Sequence, residues 1–381
     1  EPLLERLRRE TGVTLVLRYT GTLDGIERIA AGEDYDGAWF SHAKYLMLVP
    51  DAAGKVRAAE RIMLSPVLLG VKESVARRFG WGATTTWAAV AEQAGRGNFH
   101  FAMTNPASSN SGFSALVGVA ASFAGKTDAL EAGDIRRDRL ATLFKGQALT
   151  AGSSGWLAER YLEEQDKLDG IINYESVLLS LNRGGKLKEK LTLIYPQEGL
   201  LTADYPLLLL NEQKRGAYLK AVNWLRGSEA QNWLMTHTLR RPAVPTVPPD
   251  RSLFGDALLV DMAFPGKLSV INALLTSYLG EQRPPASMYF VLDLSGSMGG
   301  FRVEDLRRAL RVLAGQEGQT LSSGFVRFQP RERVTLVPFS SRVHQQEVQR
   351  LEVSRQRPGE ALERLAHYAD HMAPGGGTAM Y

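Results

Sequence analysis

Short apolar runs alternate with longer amphipathic stretches along this chain of 381 residues. Pro2–Leu7 is helical in pattern, and Gly12 is a suitable stop. Val13–Arg18, rich in β-branched and aliphatic residues, reads as a strand. The turn Thr20-Gly21-Thr22 follows, then a helix from Asp24 to Ala31 closed by Gly32. Asp36–Phe40 is the next strand, with Ser41 and His42 just past its end. Strand and helix in alternation predict an α/β fold with a parallel sheet. The alternation continues with a strand over Ile62–Val71 that contains Pro66, and another over Phe99–Met103. The loop Thr104–Asn110 then opens a helix of small residues, Ser111–Phe123. Ile171–Glu175 leads into a further helix, and Leu191–Tyr195 is a strand. Two more helices follow, the second with a capping-box start of Ser228 and Gln231. The Pro-rich stretch Arg241–Pro249 reads as a stiff module edge, and Arg283-Pro284-Pro285 as a second edge.

Apolar residues make up 44% of the chain and charged residues 23%, which indicates a folded chain rather than a disordered one. Pro206–Leu210, among the longest apolar runs, is too short to span a bilayer. The 45 basic and 41 acidic residues leave a net charge of +4. The basic residues are scattered, with no block interleaved with aromatics, so nucleic acid is not the expected partner. Without cysteine there are no disulfides and no thiolate metal sites. The chain opens inside a helix, shows no signal peptide and closes just after a Gly-rich loop. It reads as a fragment, with any membrane attachment outside it.

Chemistry concentrates near the C-terminal end. The unbroken apolar run Met288–Leu292 suits a strand buried on both faces of a parallel sheet. It ends in Asp293-Leu294-Ser295-Gly296-Ser297, at the position where open α/β sheets bind ligands. The next helix places Val303, Leu306, Leu310 and Leu313 on one face. A carboxylate with two alternating hydroxyls is a hard oxygen set suited to Mg²⁺, Mn²⁺ or Ca²⁺. Gly375-Gly376-Gly377-Thr378 adds a loop with another hydroxyl. The five-residue pattern alone is equally an ordinary strand-to-helix turn.

Asp293-x-Ser295-x-Ser297 with Thr378 resembles the metal-ion-dependent adhesion site of von Willebrand factor A domains, over residues 287–381. The resemblance implies a Rossmann-like domain, C-terminally truncated. In it Ser295 and Ser297 would bind the cation, Asp293 would act directly or through water, and Thr378 would complete one face. A carboxylate from a protein partner would fill the last position. The family's later Asp lies beyond Thr378, so the site is incomplete in this chain. Phe325–Phe328 and Val334–Phe339 would form the family's antiparallel strand pair.

Residues 1–240 resemble the type II periplasmic solute-binding proteins, a bilobal fold. The likeness rests on the order of five segments: Thr20-Gly21-Thr22, Asp36–Ser41, the crossover Ser65–Val71, the loop Thr104–Gly112, and the return at Tyr195-Pro196 and Ala203–Pro206. Lobe I would comprise about 1–65 and 197–240, lobe II about 66–196, with a Pro-rich and helical connector over 241–286. Candidate ligand residues are Thr20, Gly21, Thr22, Ser41, Ser65, Ser108, Ser109, Asn110, Ser111 and Tyr174. Ser108–Ser111 precede a helix, whose free N–H groups attract an anion. Hydroxyls and amides without paired Arg suit a small oxyanion held by neutral donors. A sugar, a peptide or a plain set of N-caps are the alternatives at each loop.

Other features carry less. His367 and His371 have zinc-ligand spacing, but Tyr368 stands where a metalloprotease needs Glu, so a solvated helix face is expected. No acid–base pair or nucleophile constellation appears, and no enzyme is expected. The expectation is a bacterial surface or secreted binding protein. The rivals are the substrate-binding component of a solute (oxyanion) transporter, and a cytosolic adaptor for an ATPase complex.

Overall fold

A computed structural model of the chain describes residues 2–126, 128–257, 259–317 and 325–379. The chain forms two compact units, residues 1–275 and 276–381.

The first unit has two sheets, one per lobe. In lobe I, β1 (Gly37–Trp39) and β2 (Ala58–Arg61) both run antiparallel to β9 (Pro206–Leu209), in the order β1-β9-β2. Lobe II is built on β3 (Met63–Lys72), whose apolar run is buried from Ser65 to Val71. β3 pairs antiparallel with β6 (Gly170–Tyr174) and β7 (Leu191–Ile194), and with the short β8 (Thr202–Ala203) and β10 (Arg241–Pro242). Beyond β6 the sheet is parallel, through β4 (Phe101–Thr104) to β5 (Gln147–Ala151). The parallel sheet expected throughout is therefore confined to β6-β4-β5. The antiparallel ladders arise because the chain crosses between lobes at Ile62, between β2 and β3, and returns at Asp204-Tyr205, between β8 and β9. The helix Asn110–Ala124 is buried along Asn110–Phe123, which explains its small residues: a helix enclosed on every side needs close approach.

Val13–Arg18 is not a strand. Val13 and Leu15 pack on the lobe I core, but no strand of the described residues lies alongside to complete a ladder, and Val16 is 85% exposed. The capping box at Ser228 does not form either. Gly227 is the N-cap, and the Gln231 amide donates to Ile62 O and Leu225 O, both at 2.7 Å. Gln231 also accepts from Ala243 N–H at 2.9 Å, stitching the helix Ser228–Thr238 to the crossover and to β10.

The Pro-rich stretch is built into the first unit rather than marking its edge. Val244 and Val247 are buried with Met235 and Phe254. Arg241 makes a two-pronged ion pair, at 2.8 Å twice, with the fully buried Glu175 carboxylate, which also accepts from the Tyr195 hydroxyl. The division between units falls further on, inside the helix Leu268–Ser277.

In the second unit, β11 (Ser287–Asp293) runs parallel to β12 (Arg333–Phe339), which pairs antiparallel with β13 (Gln349–Glu352). The helices Phe301–Leu313 and Pro358–His371 pack with the sheet around Leu292, Leu310, Leu336, Leu351 and Leu365. β11 is not buried on both faces. Met288, Phe290 and Leu292 turn toward this core, while Tyr289 and Val291 are 72% and 68% exposed. The antiparallel partner of β12 is β13, and Phe325–Phe328 contributes no strand; Phe328 is a buried core residue.

Candidate functional site

The interlobe cleft is organised by the end of β4. After Thr104, the Asn105 side chain accepts from Ala107 N–H at 3.0 Å, and Asn105 O accepts from the N–H groups of Ser108 and Ser109. This turn delivers the chain into the helix Asn110–Ala124. A Cβ on Gly112 would sit 2.3 Å from Thr104 O, so only glycine lets this helix press against the strand end. The Ser111 hydroxyl is buried 2.8 Å from both Thr104 Oγ1 and Ser154 Oγ, and 3.3 Å from Ser109 Oγ. Ser109 is the N-cap but makes no side-chain cap. The first N–H groups of the helix therefore keep their donor capacity and the positive end of the dipole.

Lobe I faces this corner with the N-terminus of the helix Thr22–Ala31, which Gly21 caps without a side-chain bond. A Cβ on Gly21 would lie 3.3 Å from Ser108 O, so the lobes are closed to contact here. Thr22, Leu23 and Tyr45 of lobe I and Pro106, Ser108, Ser109, Asn110 and Phe113 of lobe II enclose a cavity of about 10 Å³. That is room for about one water. One rim is hydroxyl and amide, and the other is aromatic and aliphatic. Among the described residues, no Lys, Arg, Asp or Glu lines it.

Of the residues the sequence singled out, Thr22, Ser108, Ser109 and Asn110 line the cavity, and Gly21 abuts it. Thr20 is exposed, with its hydroxyl donating to Asp24, whose carboxylate also pairs with Arg28 at 3.0 Å. Ser65 is buried in a reciprocal pair with Ser176, and Ser111 in the hydroxyl cluster above; neither lines the cavity. Tyr174 stands behind it, its buried hydroxyl accepting from Asn110 Nδ2 at 3.3 Å and hydrogen-bonded with Ser41. Burial pushes the Tyr174 phenol pKa up, so it stays protonated.

The sequence reading gave no site role to His42, Phe264 or Tyr205. His42 is buried with no partner on either ring nitrogen, against Phe113 (6.0 Å between ring centres) and Phe264 (5.6 Å). Burial, and secondarily Lys44, push its pKa down to about 3. Phe264 belongs to a segment that touches both lobes, where Asp261 pairs with Lys44 at 3.1 Å and accepts from Thr202 N–H at 2.7 Å. Tyr205, at the return crossover, has φ +39°. Its N–H donates to Ser41 O, its O accepts from Trp39 Nε1, and Arg240 lies 4.9 Å over its ring. Only the Pro that follows Tyr205 and the position just before β9 could have flagged it.

The second unit carries the other corner. Asp293 ends β11, and its Oδ1 accepts from Ser295 N–H at 2.8 Å. The Ser295 and Ser297 hydroxyls are 3.1 Å apart. The Gly-rich loop docks beside them: Gly375 N–H donates to Leu294 O (2.8 Å), and Gly296 N–H to Gly376 O (2.9 Å). Gly377 N–H donates to Ser341 Oγ and Ala379 N–H to Ser340 O, so Thr378 is held between two anchored neighbours. The Ser340 hydroxyl is 2.8 Å from His344 Nε2. Ser340 and Ser341 were missed, though they follow the strand Val334–Phe339 directly. Among the described residues no three of His, Cys, Asp or Glu come together. A cation here would rest on one carboxylate, hydroxyls and water, a donor set that fits Mg²⁺ or Mn²⁺. His367 and His371 lie on the helix Pro358–His371, as expected.

Two lobes joined by crossing strands around a cleft define a solute-binding module of the periplasmic type. Residues 1–238 match the family of bacterial extracellular solute-binding proteins, and the chain belongs to that family. Its fold is similar to that of the periplasmic binding protein AfuA from Actinobacillus pleuropneumoniae, solved with fructose-6-phosphate (15% identity, TM-score 0.53, 73% of this chain and 92% of that one). It is also similar to the sulfate-binding protein SubI from Mycobacterium tuberculosis (20%, 0.50, 71% and 89%). A third likeness is to the ferric binding protein from Campylobacter jejuni (10%, 0.52, 72% and 91%). No curated protein matches the chain. Among the described residues, no helix is long and apolar enough to cross a membrane.

Proposed function

We propose that the first unit binds a small oxyanion outside the cytoplasm, through neutral donors, and without enzymatic activity. The observation that carries this is the uncapped helix N-terminus at Ser109-Asn110 facing a cavity with no charged side chain. The cavity of about 10 Å³ is too small for an oxyanion, so binding goes with rotation of the lobes at Ile62 and at Asp204-Tyr205. Likeness to a sulfate-binding protein supports an anion. The membership of residues 1–238 in the solute-binding family favours a second reading, delivery of that solute to a membrane transporter.

For the second unit we propose a von Willebrand factor A domain whose Asp293, Ser295, Ser297 and Thr378 hold a divalent cation. The bound cation would supply a positive centre for a carboxylate of a protein partner. The contact of the 375–379 loop with the Asp293 corner supports it. Calorimetric titration with phosphate, sulfate and molybdate, then with Mg²⁺ and Mn²⁺, tests both proposals. Silence toward all of them in folded protein would overturn both.

A further inference from the structure

The helix Pro358–His371 carries a histidine pair that neither corner uses. His367 and His371 are both exposed and line an open groove of about 750 Å³ on the second unit, together with Glu363 and Arg364. Residues four apart on a helix project from the same side. The two rings face each other, 4.1 Å between centres and tilted by 40°. His371 Nδ1 lies 2.8 Å from His367 O. A carbonyl only accepts, so Nδ1 carries the hydrogen and the neutral ring keeps its lone pair on Nε2. Metal-bound histidines are held in this way, with the other ring nitrogen donating to a carbonyl, a carboxylate or water. The His367 ring makes no hydrogen bond to the described residues, so nothing prevents it from turning a lone pair beside that of His371.

We propose that His367 and His371 chelate a divalent transition metal, Zn²⁺ or Cu²⁺, in a site separate from the Asp293 corner and independent of the functions proposed above for the two units. Imidazole nitrogen suits these ions, whereas Mg²⁺ and Ca²⁺ take oxygen ligands. Carrying both ligands on one turn of helix makes the second metal–nitrogen bond intramolecular, which strengthens binding without any further contact. Glu363 precedes His367 by one turn in the same groove and offsets the charge of Arg364. Among the described residues no third His, Cys, Asp or Glu comes within reach, so water fills the remaining positions.

The test is titration of the full chain with Cu²⁺ and with Zn²⁺, in excess Mg²⁺ so that any oxygen site is already occupied. The tightest Cu²⁺ is expected to show the nitrogen hyperfine splitting of two imidazoles in its electron paramagnetic resonance spectrum. His367→Ala and His371→Ala are each expected to weaken Cu²⁺ and Zn²⁺ binding at least about 10-fold and to remove that signature. His237→Ala is the control and is expected to change neither. His237 Nδ1 approaches Trp233 O as His371 Nδ1 approaches His367 O, but its ring stacks on Trp233 rather than on a second histidine. Circular dichroism establishes that each variant is folded. Affinity unmoved in both His367→Ala and His371→Ala, a Cu²⁺ spectrum of oxygen ligands alone, or no binding of either metal under excess Mg²⁺ would overturn the proposal.

Discussion

At the end of β4 and at the end of β11 the chain makes the same kind of move, from a strand into a hydroxyl-bearing turn and on to a helix. The two corners present different groups: uncapped helix N–H groups at the first, a carboxylate and two hydroxyls at the second. The β4 corner runs directly into a helix of 15 residues with an uncapped N-terminus and has no acid in its turn. The β11 corner begins with Asp293, interposes the turn Gly296–Met298 and Gly299-Gly300, and starts its helix with Glu304 in the first turn. N–H groups dominate the first corner and oxygens the second. On the two readings proposed above, one carboxylate at the strand end and a few residues of spacing separate an anion-binding corner from a cation-binding one.

The largest effect is expected where the first corner is anchored. Glu175 follows Tyr174 directly, and its buried pair with Arg241 ties the cleft side of lobe II to β10. Glu175→Ala strands the Arg241 charge and should cost about 3–5 kcal/mol. Differential scanning calorimetry should show that loss in the transition of residues 1–275, with the transition of 276–381 unmoved. Giving the β4 corner the acid it lacks tests the comparison itself. Ser109→Asp keeps a good N-cap but should weaken oxyanion binding at least about 100-fold by charge repulsion. Calorimetric titration with phosphate reads this, and unchanged affinity would break the comparison.

His42 gives a smaller, pH-dependent effect. Its folded form stays neutral down to about pH 3, while the unfolded chain takes the proton near 6.5. Between these values the unfolded state binds more protons, so stability should fall as pH drops, by up to about 1.4 kcal/mol per unit. His42→Leu should flatten that slope in urea melts at pH 7 and pH 5. Ser111→Ala should be the mildest, costing about 1–2 kcal/mol as the Thr104 and Ser154 hydroxyls lose their shared partner.

What could be read from the sequence was local. Strand ends, glycine stops and the hydroxyl-rich turns were legible because each depends on residues within one turn of chain. Ser108–Asn110 and Asp293–Ser297 were found that way. Contacts across lobes were not legible: His42, Phe264 and Tyr205 meet partners far away in sequence, and only Tyr205 has a neighbour, Pro206, that marks its position. Val13–Arg18 shows the converse, a strand composition with no partner strand among the described residues. The prolines of 242–249 misled for a similar reason, since Val244 and Val247 between them are buried in the first unit. Ser65 looked like a ligand hydroxyl, but Ser176 takes it up.

The central claim is that one chain carries two corners of opposite charge preference, each governed by its own residues. Isothermal titration of the full chain with Mg²⁺ and with inorganic phosphate, repeated on Asp293→Ala and Ser109→Asp, tests it most directly. The account predicts that Asp293→Ala abolishes the Mg²⁺ signal and leaves phosphate binding intact, and that Ser109→Asp does the reverse. Loss of both signals in either folded variant, or phosphate binding that disappears with Asp293, would contradict it.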